Sequence, residues 1–167
     1  EKHGIEVVIA MDVSNSMLAS STGEDGGTSR LRTAKLMLEK LINKLDNDRV
    51  GLIVYAGEAY TLLPVTSDYV SAKMFLNSIN TDMVPVQGTD IAGAISAALN
   101  SFSDRKDVGK SLILITDVED LEGEALTAAQ SAKEMGVQVN VIGVGSSKGA
   151  IIPIGNGQYF RDDNGQV

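Results

Sequence analysis

Strand-length apolar runs alternate along this chain with segments of helical periodicity, and this alternation constrains the fold more than any other feature. The runs are IEVVIA, VGLIVYA, SLILIT and VQVNVIGV, at residues 5–10, 50–56, 111–116 and 137–144. The first three are almost continuously apolar, which is typical of strands buried on both faces of a parallel sheet. We therefore predict a central, mostly parallel sheet.

The intervening segments have the spacing and the end signals of helices. We predict helices over about 31–45, 68–79, 90–102 and 124–135. Asp68 is suited to cap the second helix, and Gly136 is suited to end the fourth. Strands that alternate with helices predict an α/β, Rossmann-like, doubly wound fold with helices on both faces of the sheet.

One further segment, YTLLPVT at 60–66, is predicted to be a short edge strand. Its proline and polar flanks do not suit a central strand, so we expect it to pair antiparallel with its neighbour. No linker or repeat divides the chain, and we interpret residues 1–167 as one domain with its core at about 4–145. The tail, 146–167, is expected to form a small hairpin.

Composition excludes several classes of function. The chain has 167 residues, a formal net charge of −8 and no cysteine, which disfavours nucleic acid as a partner and excludes thiolate chemistry. His3 is the single histidine, so neither a Ser-His-Asp triad nor a histidine-rich zinc site is expected. The apolar runs are too short to span a bilayer. Because the first residue is Glu1 rather than Met, we expect a segment of a longer protein.

Oxygen-bearing side chains follow the predicted strands, where ligands bind in open α/β sheets. Asp12, Ser14 and Ser16 follow the first strand, QGTD (87–90) precedes the third helix, and TDVED (116–120) follows the strand SLILIT. Each cluster alone is also typical of turns and helix caps. Together they offer carboxylates and hydroxyls without imidazole or thiolate, which is the set of ligands suited to Mg²⁺ or Mn²⁺.

The spacing within the clusters favours a common site. In Asp12-x-Ser14-x-Ser16, alternate residues of one turn direct three side chains toward a single point. Gly88 allows a close approach of the backbone, which would bring the Thr89 hydroxyl to the same point. We therefore predict one divalent-cation site at the carboxyl ends of the strands.

The motifs DVSNSM, QGTD and TDVED, in this order and on these elements, resemble the metal-ion-dependent adhesion site (MIDAS) of von Willebrand factor A (VWA) domains. The family pattern is Asp-x-Ser-x-Ser, then a distant threonine, then an aspartate after a central strand. The resemblance extends over about residues 4–145. It implies a VWA fold and a metal-dependent protein-interaction module that is not an enzyme.

The resemblance also implies a set of metal ligands. Ser14, Ser16 and Thr89 would bind the ion through hydroxyl oxygens, and Asp12 and Asp117 would hold it directly or through bound water. The expected ion is Mg²⁺ or Mn²⁺, with Ca²⁺ as a further candidate. In VWA domains the ion keeps one open coordination position, which takes an Asp or Glu carboxylate from a partner protein.

Four further segments, DRVGLIVYAGEAY, LPVTSDY, INTDMVPVQGT and VNVIGVGS, resemble bacterial aerotolerance-operon (Bat) proteins, in particular the BatB type. These are membrane-anchored VWA proteins. The resemblance implies that this segment is the soluble domain of a parent anchored in the bacterial inner membrane, on its periplasmic or its cytoplasmic side. The segment itself is not expected to insert into the membrane.

Some residues depart from the common family pattern. Val118 stands where many relatives have glycine, so the loop after Asp117 needs a conventional backbone path. Asn15 replaces the glycine of Asp-x-Ser-Gly-Ser, and asparagine tolerates the left-handed region. The loop at 19–29 is longer than expected and is predicted to lie on the surface beside the end of the first strand. Asp90 is interpreted as the cap of the third helix rather than as a ligand.

Three other interpretations are compatible with these residues. A Mg²⁺-dependent phosphotransferase or phosphatase would use Asp12 as phosphoryl acceptor and Asp117 as metal ligand, although Ser14 stands where such hydrolases usually have a second aspartate. A nucleotide site at GVGSSKG (143–149) would follow the last strand, which is the wrong context for a glycine-rich loop. In the third interpretation, the polar clusters are only turns and helix caps.

Overall fold

Six strands form the central sheet in the computed structural model, which describes residues 4–21, 27–118, 120–145 and the backbone of 151–152. The strands are β1 (Ile5–Asp12), β2 (Arg49–Tyr55), β3 (Ala59–Thr66), β4 (Gly109–Thr116), β5 (Val137–Gly143) and β6 (Ile151–Ile152). Their order in the sheet is β3-β2-β1-β4-β5-β6. The four inner strands are parallel, and β3 and β6 pair antiparallel at the two edges.

Helices cover both faces of this sheet. The described residues form α1 (Arg30–Asn43), α2 (Tyr69–Ser78), α3 (Ile91–Ser101) and α4 (Gly123–Glu134), with short 3₁₀ helices at Asn15–Leu18 and Thr81–Met83. Alternate residues of β1 point to opposite layers: Val7, Ile9 and Met11 pack with α1 and α2, whereas Val8 and Ala10 pack with α3 and α4. All five side chains are buried, as expected for a central strand.

The end signals of the helices act as the sequence predicts. The Asp68 carboxylate caps α2 by accepting a hydrogen bond from Ser71 N at 3.0 Å. The Asp90 carboxylate caps α3 in the same way, with Gly93 N at 2.9 Å. Gly136 follows α4 with a φ of 87°, a conformation that glycine adopts without strain. The interpretation of Asp90 as a helix cap is therefore confirmed.

The predicted α/β fold with a mostly parallel sheet is confirmed, and so is the antiparallel edge strand at 59–66. α1 ends at Asn43, two residues before the predicted Leu45. The next two backbone N–H groups bond to carbonyls three residues back, as in a 3₁₀ helix, and Asn47 then has a φ of 63°, which no helix continues through. β6 adds a second antiparallel pair at the other edge. Apart from β6, the predicted hairpin at 146–167 lies outside the described residues, and the single domain at 1–167 stays a prediction. Within the described ranges, no helix has both the length and the apolar content needed to cross a bilayer.

Parallel register brings the carboxyl ends of three neighbouring strands to one edge of the sheet. Asp12, the last residue of β1, pairs with Tyr55, the last residue of β2. On the other side, Met11 pairs with Ile115 of β4. The loops that follow β1, β2 and β4 therefore leave the sheet side by side.

Candidate metal site

Asp12 is completely buried at the end of β1, so its carboxylate needs hydrogen-bond partners inside the protein. Ser14 supplies two of them: its backbone N donates to Asp12 Oδ1 at 2.9 Å, and its hydroxyl donates to the same atom at 2.6 Å. Thr116, the last residue of β4, donates its hydroxyl to Asp12 Oδ2 at 3.3 Å. Both carboxylate oxygens of Asp12 are therefore held in place.

A 3₁₀ turn after Ser14 places Ser16 beside it. Met17 N donates to the Ser14 carbonyl at 2.9 Å, and the buried Met17 side chain fixes the turn to the core. The hydroxyl oxygens of Ser14 and Ser16 are 3.0 Å apart. The Asp-x-Ser-x-Ser spacing therefore brings three oxygen-bearing side chains together, as predicted.

Asp117 closes the cluster from the end of β4. The Ser16 hydroxyl donates a hydrogen bond to Asp117 Oδ2. Val118 N donates to the Thr116 hydroxyl at 3.2 Å, which turns the chain away from the sheet without a glycine at position 118. Four of the five predicted ligands thus form one group of neighbouring oxygen atoms: one hydrogen bond joins Asp12 to Ser14, another joins Ser16 to Asp117, and the two serine hydroxyls face each other.

Thr89 reaches the same edge of the sheet on a separate loop. Asp90 N donates to the Ala56 carbonyl at 2.6 Å, and Gly57 N donates to the Val86 carbonyl at 2.8 Å, so this loop is pinned to the chain that follows β2. Thr89 itself is exposed. Among the described residues, no hydrogen bond joins Thr89 to the other four predicted ligands.

Two glycines allow this loop to lie so close to its neighbours. Gly88 has a φ of 129°, and a Cβ on it would lie 3.3 Å from the Gly57 Cα. A Cβ on Gly57 would lie 2.4 Å from the Gln87 carbonyl oxygen. Gln87 also accepts a long hydrogen bond, 3.4 Å, from the backbone N of Asn15, which lies between Ser14 and Ser16. The close approach expected at Gly88 is confirmed, but it depends equally on Gly57, which is not among the residues predicted from the sequence.

The site concentrates negative charge below the protein surface. Burial raises the pKa of Asp12, the Ser14 hydrogen bonds oppose this shift, and the charge of Asp117 adds to it. Tyr55 is fully buried and donates to the Ile115 carbonyl at 2.8 Å; burial and then the charge of Asp12 raise the pKa of Tyr55 well above its ordinary value. A cation between the two carboxylates would offset the cost of burying them.

Arg30 also contacts the site, although the sequence motifs do not predict it. Arg30 N donates to the Ala19 carbonyl at 2.8 Å, which holds the start of α1 near the first cluster. Its Nη1 lies 3.1 Å from Asp117 Oδ2 and 3.4 Å from the Ser16 carbonyl oxygen. The one signal in the sequence is a cation in the first turn of a helix, where the helix dipole disfavours it.

The donor atoms fit a hard divalent cation. They are oxygens only, and the 3.0 Å between the two serine hydroxyls is close to the roughly 3 Å expected between neighbouring ligands about 2.1 Å from Mg²⁺ in an octahedron. Across the described residues, no group of three or more His, Cys, Asp and Glu side chains is arranged to hold a metal ion. The hydroxyls of Ser14 and Ser16 lie beside the Asp12 and Asp117 carboxylates, so hydroxyl oxygens belong to the donor set at this edge.

Comparison with known proteins identifies a family model that the chain matches. Residues 7–120 match the family model of the von Willebrand factor type A domain. The conserved hypothetical protein BatB from Bacteroides thetaiotaomicron is 51% identical, with a TM-score of 0.80 over 98% of this chain and 78% of that chain. An aerotolerance-related membrane protein from Bacteroides fragilis is 49% identical, with a TM-score of 0.78 over 98% and 79%. The predicted resemblance to Bat proteins is therefore confirmed.

The curated relatives are more distant. An uncharacterized protein of Borreliella burgdorferi is 28% identical over 150 residues, which make up 87% of this chain and 42% of the relative. This chain spans less than half the length of each of the curated relatives that it matches.

Two distant solved structures contain metal and share the fold. They are a manganese-loaded TRAP protein from Plasmodium vivax and proximal thread matrix protein 1 from the mussel byssus with a zinc-occupied MIDAS motif. The first is 22% identical, with a TM-score of 0.63 over 86% of this chain and 58% of that chain. The second is 13% identical, with a TM-score of 0.69 over 88% and 40%. At these identities the likeness shows the fold alone. The match over residues 7–120 together with the similar Bacteroides structures shows that the chain belongs to the von Willebrand factor type A domain family.

Proposed function

We propose that this domain is a divalent-metal-dependent protein-interaction module. The ion would be held by Asp12, Ser14, Ser16, Thr89 and Asp117, and an Asp or Glu carboxylate of a partner protein would complete its coordination. The observation that carries the proposal is the convergence of the turn after β1 and the end of β4 on one group of oxygen atoms. The strand order brings these two segments side by side in any case, but turns and helix caps alone would not require their oxygen-bearing side chains to face one another.

The side chains at the ends of β1 and β4 would have different roles in this site. Ser14 and Ser16 offer neutral hydroxyls, 3.0 Å apart. Asp12 lies deeper, supplies negative charge, and keeps the Ser14 hydroxyl in place through the 2.6 Å hydrogen bond. Thr116 acts through Asp12, because its hydroxyl orients the second carboxylate oxygen.

Thr89 and Asp117 would approach the ion from opposite sides. Asp117 follows β4, whereas the loop of Thr89 is pinned to Ala56 and Gly57 after β2. β2 and β4 are the two neighbours of β1 in the sheet. Thr89 is assigned as a ligand from this placement of its loop and from the family pattern.

A divalent ion supplies the attraction that an acidic partner needs. Bound to hydroxyl ligands, such an ion stays electrophilic, and a carboxylate is drawn to its open position. The chain has a net charge of −8, so its overall charge would repel an acidic partner. Recognition of an Asp or Glu side chain would therefore depend on the ion. Mg²⁺, Mn²⁺ and Ca²⁺ all match a site made of oxygen atoms.

We also infer that the parent protein is anchored in the bacterial inner membrane and presents this domain in solution. Two observations support this: the similar Bacteroides fragilis protein is described as an aerotolerance-related membrane protein, and this chain spans less than half of its curated relatives. The partner carboxylate would then be bound next to a membrane.

No observation favours the phosphotransferase or phosphatase alternative. Asp12, its phosphoryl acceptor, is completely buried, and both of its oxygens accept hydrogen bonds. A cavity of about 520 Å³ lies near Lys110 and Val137, at the opposite ends of the strands. A substrate in that cavity would be remote from Asp12, so a non-catalytic role stays part of the proposal.

Thermal unfolding with and without divalent ions tests the proposed function. We expect millimolar Mg²⁺ or Mn²⁺ to raise the Tm of the wild-type domain, because ligands stabilise the state that binds them. Asp12→Asn and Thr89→Ala should lose this increase. Asp104→Ala is the matched control, because Asp104 is an exposed carboxylate beside the opposite cavity. An unchanged wild-type Tm with both ions would refute the proposal.

A further inference from the structure

Arg30 occupies a position that helix energetics disfavour. It is the first residue of α1, directly after the cap Ser29. The free N–H groups at this end of a helix carry partial positive charge, so acidic residues are preferred there. The first turn of α1 contains no acidic residue. The first turn is thus an unfavourable place for a cation, and the Arg30 side chain has a compensating ion pair at the candidate metal site.

The Arg30 side chain is largely buried at the candidate site and does not extend over the protein surface. Its Nη1 is 3.1 Å from Asp117 Oδ2, and the two side chains are only 25% and 7% exposed. Within the described part of the chain, the buried Arg30 Nε has no hydrogen-bond partner. An unsatisfied buried donor is unfavourable, and among the described residues Arg30 Nη1 holds the guanidinium in place through Asp117 Oδ2 at 3.1 Å and the Ser16 carbonyl oxygen at 3.4 Å.

A glycine makes room for this arrangement. Gly145, which follows β5, has a φ of 97°. A Cβ at this position would lie 2.1 Å from Arg30 Nε and 2.6 Å from Arg30 Cζ. A larger residue would require the guanidinium to move and would also be strained at this φ, so Gly145 allows Arg30 to lie where it pairs with Asp117.

The contacts of Arg30 place its positive charge next to the proposed position of the divalent ion. Asp117 Oδ2 accepts hydrogen bonds from both the Ser16 hydroxyl and Arg30 Nη1. An ion bound by Ser16 and Asp117 would therefore lie close to the guanidinium. At a partly buried site, two positive charges at such short range repel each other strongly.

We propose that Arg30 is the internal counter-cation of the metal site: it neutralises Asp117 in the metal-free domain and lowers the affinity of the site for the divalent ion. This inference rests on the proposed metal site and deepens it by naming the residue that sets its affinity. The positive charge of Arg30 would also offset the repulsion between Asp12 and Asp117 when no ion is bound. Occupancy of the site then follows the ion concentration.

Titration calorimetry with Mn²⁺ tests the effect on affinity. Arg30→Met keeps the apolar part of the side chain and removes the charge, and we expect it to bind Mn²⁺ about tenfold more tightly than the wild type. Arg30→Lys keeps the charge and should stay close to the wild type. Arg32→Met is the matched control, because Arg32 is exposed one half-turn further along α1, and its affinity should be unchanged.

Thermal unfolding in EDTA provides a second readout. Without metal, Arg30→Met should have a lower Tm than Arg32→Met, because Asp117 loses the cation that neutralises it. If Arg30→Met does not fold, Arg30→Gln keeps hydrogen-bond donors without the charge, and both measurements are made on that variant.

The outcomes separate this inference from the proposed function. If the folded neutral variants of Arg30 bind Mn²⁺ with unchanged affinity, the charge of Arg30 does not set the affinity. If they bind Mn²⁺ more weakly, Arg30 only positions Asp117. Either result overturns the inference and leaves the proposed function standing. If neither the wild type nor any variant binds Mn²⁺, both the inference and the proposed metal site are overturned. Tighter binding in the neutral variants, with wild-type affinity in Arg32→Met, supports both.

Discussion

The Ser16 hydroxyl donates a hydrogen bond to the carboxylate of Asp117, a residue 101 positions further along the chain. This contact joins the turn after β1 to the loop after β4. The two strands are neighbours in the sheet with Met11 opposite Ile115, so their ends meet without a long excursion of either loop. The candidate site is therefore a direct product of the strand order.

Replacing Ser16 by alanine is expected to weaken metal binding more than folding. The change removes a proposed ligand and the bond to Asp117, whereas Arg30 still pairs with Asp117. We expect the free energy of unfolding of the metal-free domain, measured in urea, to fall by about 1 kcal/mol. Calorimetry should show Mn²⁺ affinity reduced by about tenfold or more. Ser96→Ala, at an exposed serine of α3, should change neither, and undiminished Mn²⁺ affinity in Ser16→Ala would contradict the assignment.

Replacing Thr116 by valine is expected to destabilise the domain, because the buried Thr116 hydroxyl donates a hydrogen bond to Asp12. The change keeps the shape of the buried side chain, but Asp12 Oδ2 loses a donor and Val118 N loses an acceptor. We expect the free energy of unfolding to fall by about 2 kcal/mol, measured by urea denaturation without metal. Thr61→Val is the control, since Thr61 is exposed on β3 and its hydroxyl lies a long 3.4 Å from the Ser101 hydroxyl. A loss no larger than in the control would show that Asp12 does not depend on Thr116.

The fold is predictable because its signals are local and repeated. Each inner strand is an apolar run, and each helix has its own stripe or cap, so the alternation alone specifies layers of helix, sheet and helix. Asp12, Ser14 and Ser16 are predictable for the same reason, because three alternate residues in one turn lie within reach of one another. Asp117 follows from the position of its strand end.

Other parts of the site depend on contacts that no local pattern records. Arg30 reaches Asp117 only because the long loop before α1 returns to the first cluster, where Arg30 N bonds to the Ala19 carbonyl. Gly57 is needed because the loop of Gln87 lies against it. Such contacts are fixed by the path of the chain in three dimensions, so their residues stand out only once the loops are placed.

Glu6 gives the domain a pH dependence that is separate from the metal site. It is 1% exposed near the start of β1, and its carboxylate accepts hydrogen bonds from Ser103 N at 2.9 Å and the Ser103 hydroxyl at 2.5 Å and pairs with Arg49. Burial acts to raise the pKa of Glu6, but the Ser103 hydrogen bonds and Arg49 outweigh it, and the pKa lies below its ordinary value of 4.5. The ionised carboxylate therefore adds stability above pH 4.5, and this contribution is lost as the pH falls through the lower, folded-state pKa.

We expect Glu6→Gln to lower the free energy of unfolding by about 2–3 kcal/mol near neutral pH. The difference from the wild type should shrink as the pH falls below the ordinary pKa of 4.5, because protonation then removes the charge from the wild type as well. Urea denaturation over a pH series measures this. Glu134→Gln, at an exposed carboxylate in α4, should show little effect. A constant difference across the series would mean that the charge of Glu6 is not what stabilises the fold.

Replacing Gly57 by alanine is expected to displace the loop that carries Thr89. The new Cβ would lie 2.4 Å from the Gln87 carbonyl oxygen and 2.6 Å from Val86 Cγ1, and because one of these atoms is backbone, the loop has to move. We expect the free energy of unfolding to fall by about 1–3 kcal/mol and the Mn²⁺-dependent increase in Tm to be reduced or lost with Thr89. Gly123→Ala has open space at a φ of 53°, so it should cost about 1 kcal/mol and keep the increase. A destabilised Gly57→Ala domain with the full Mn²⁺ response would show that the ion does not need Thr89.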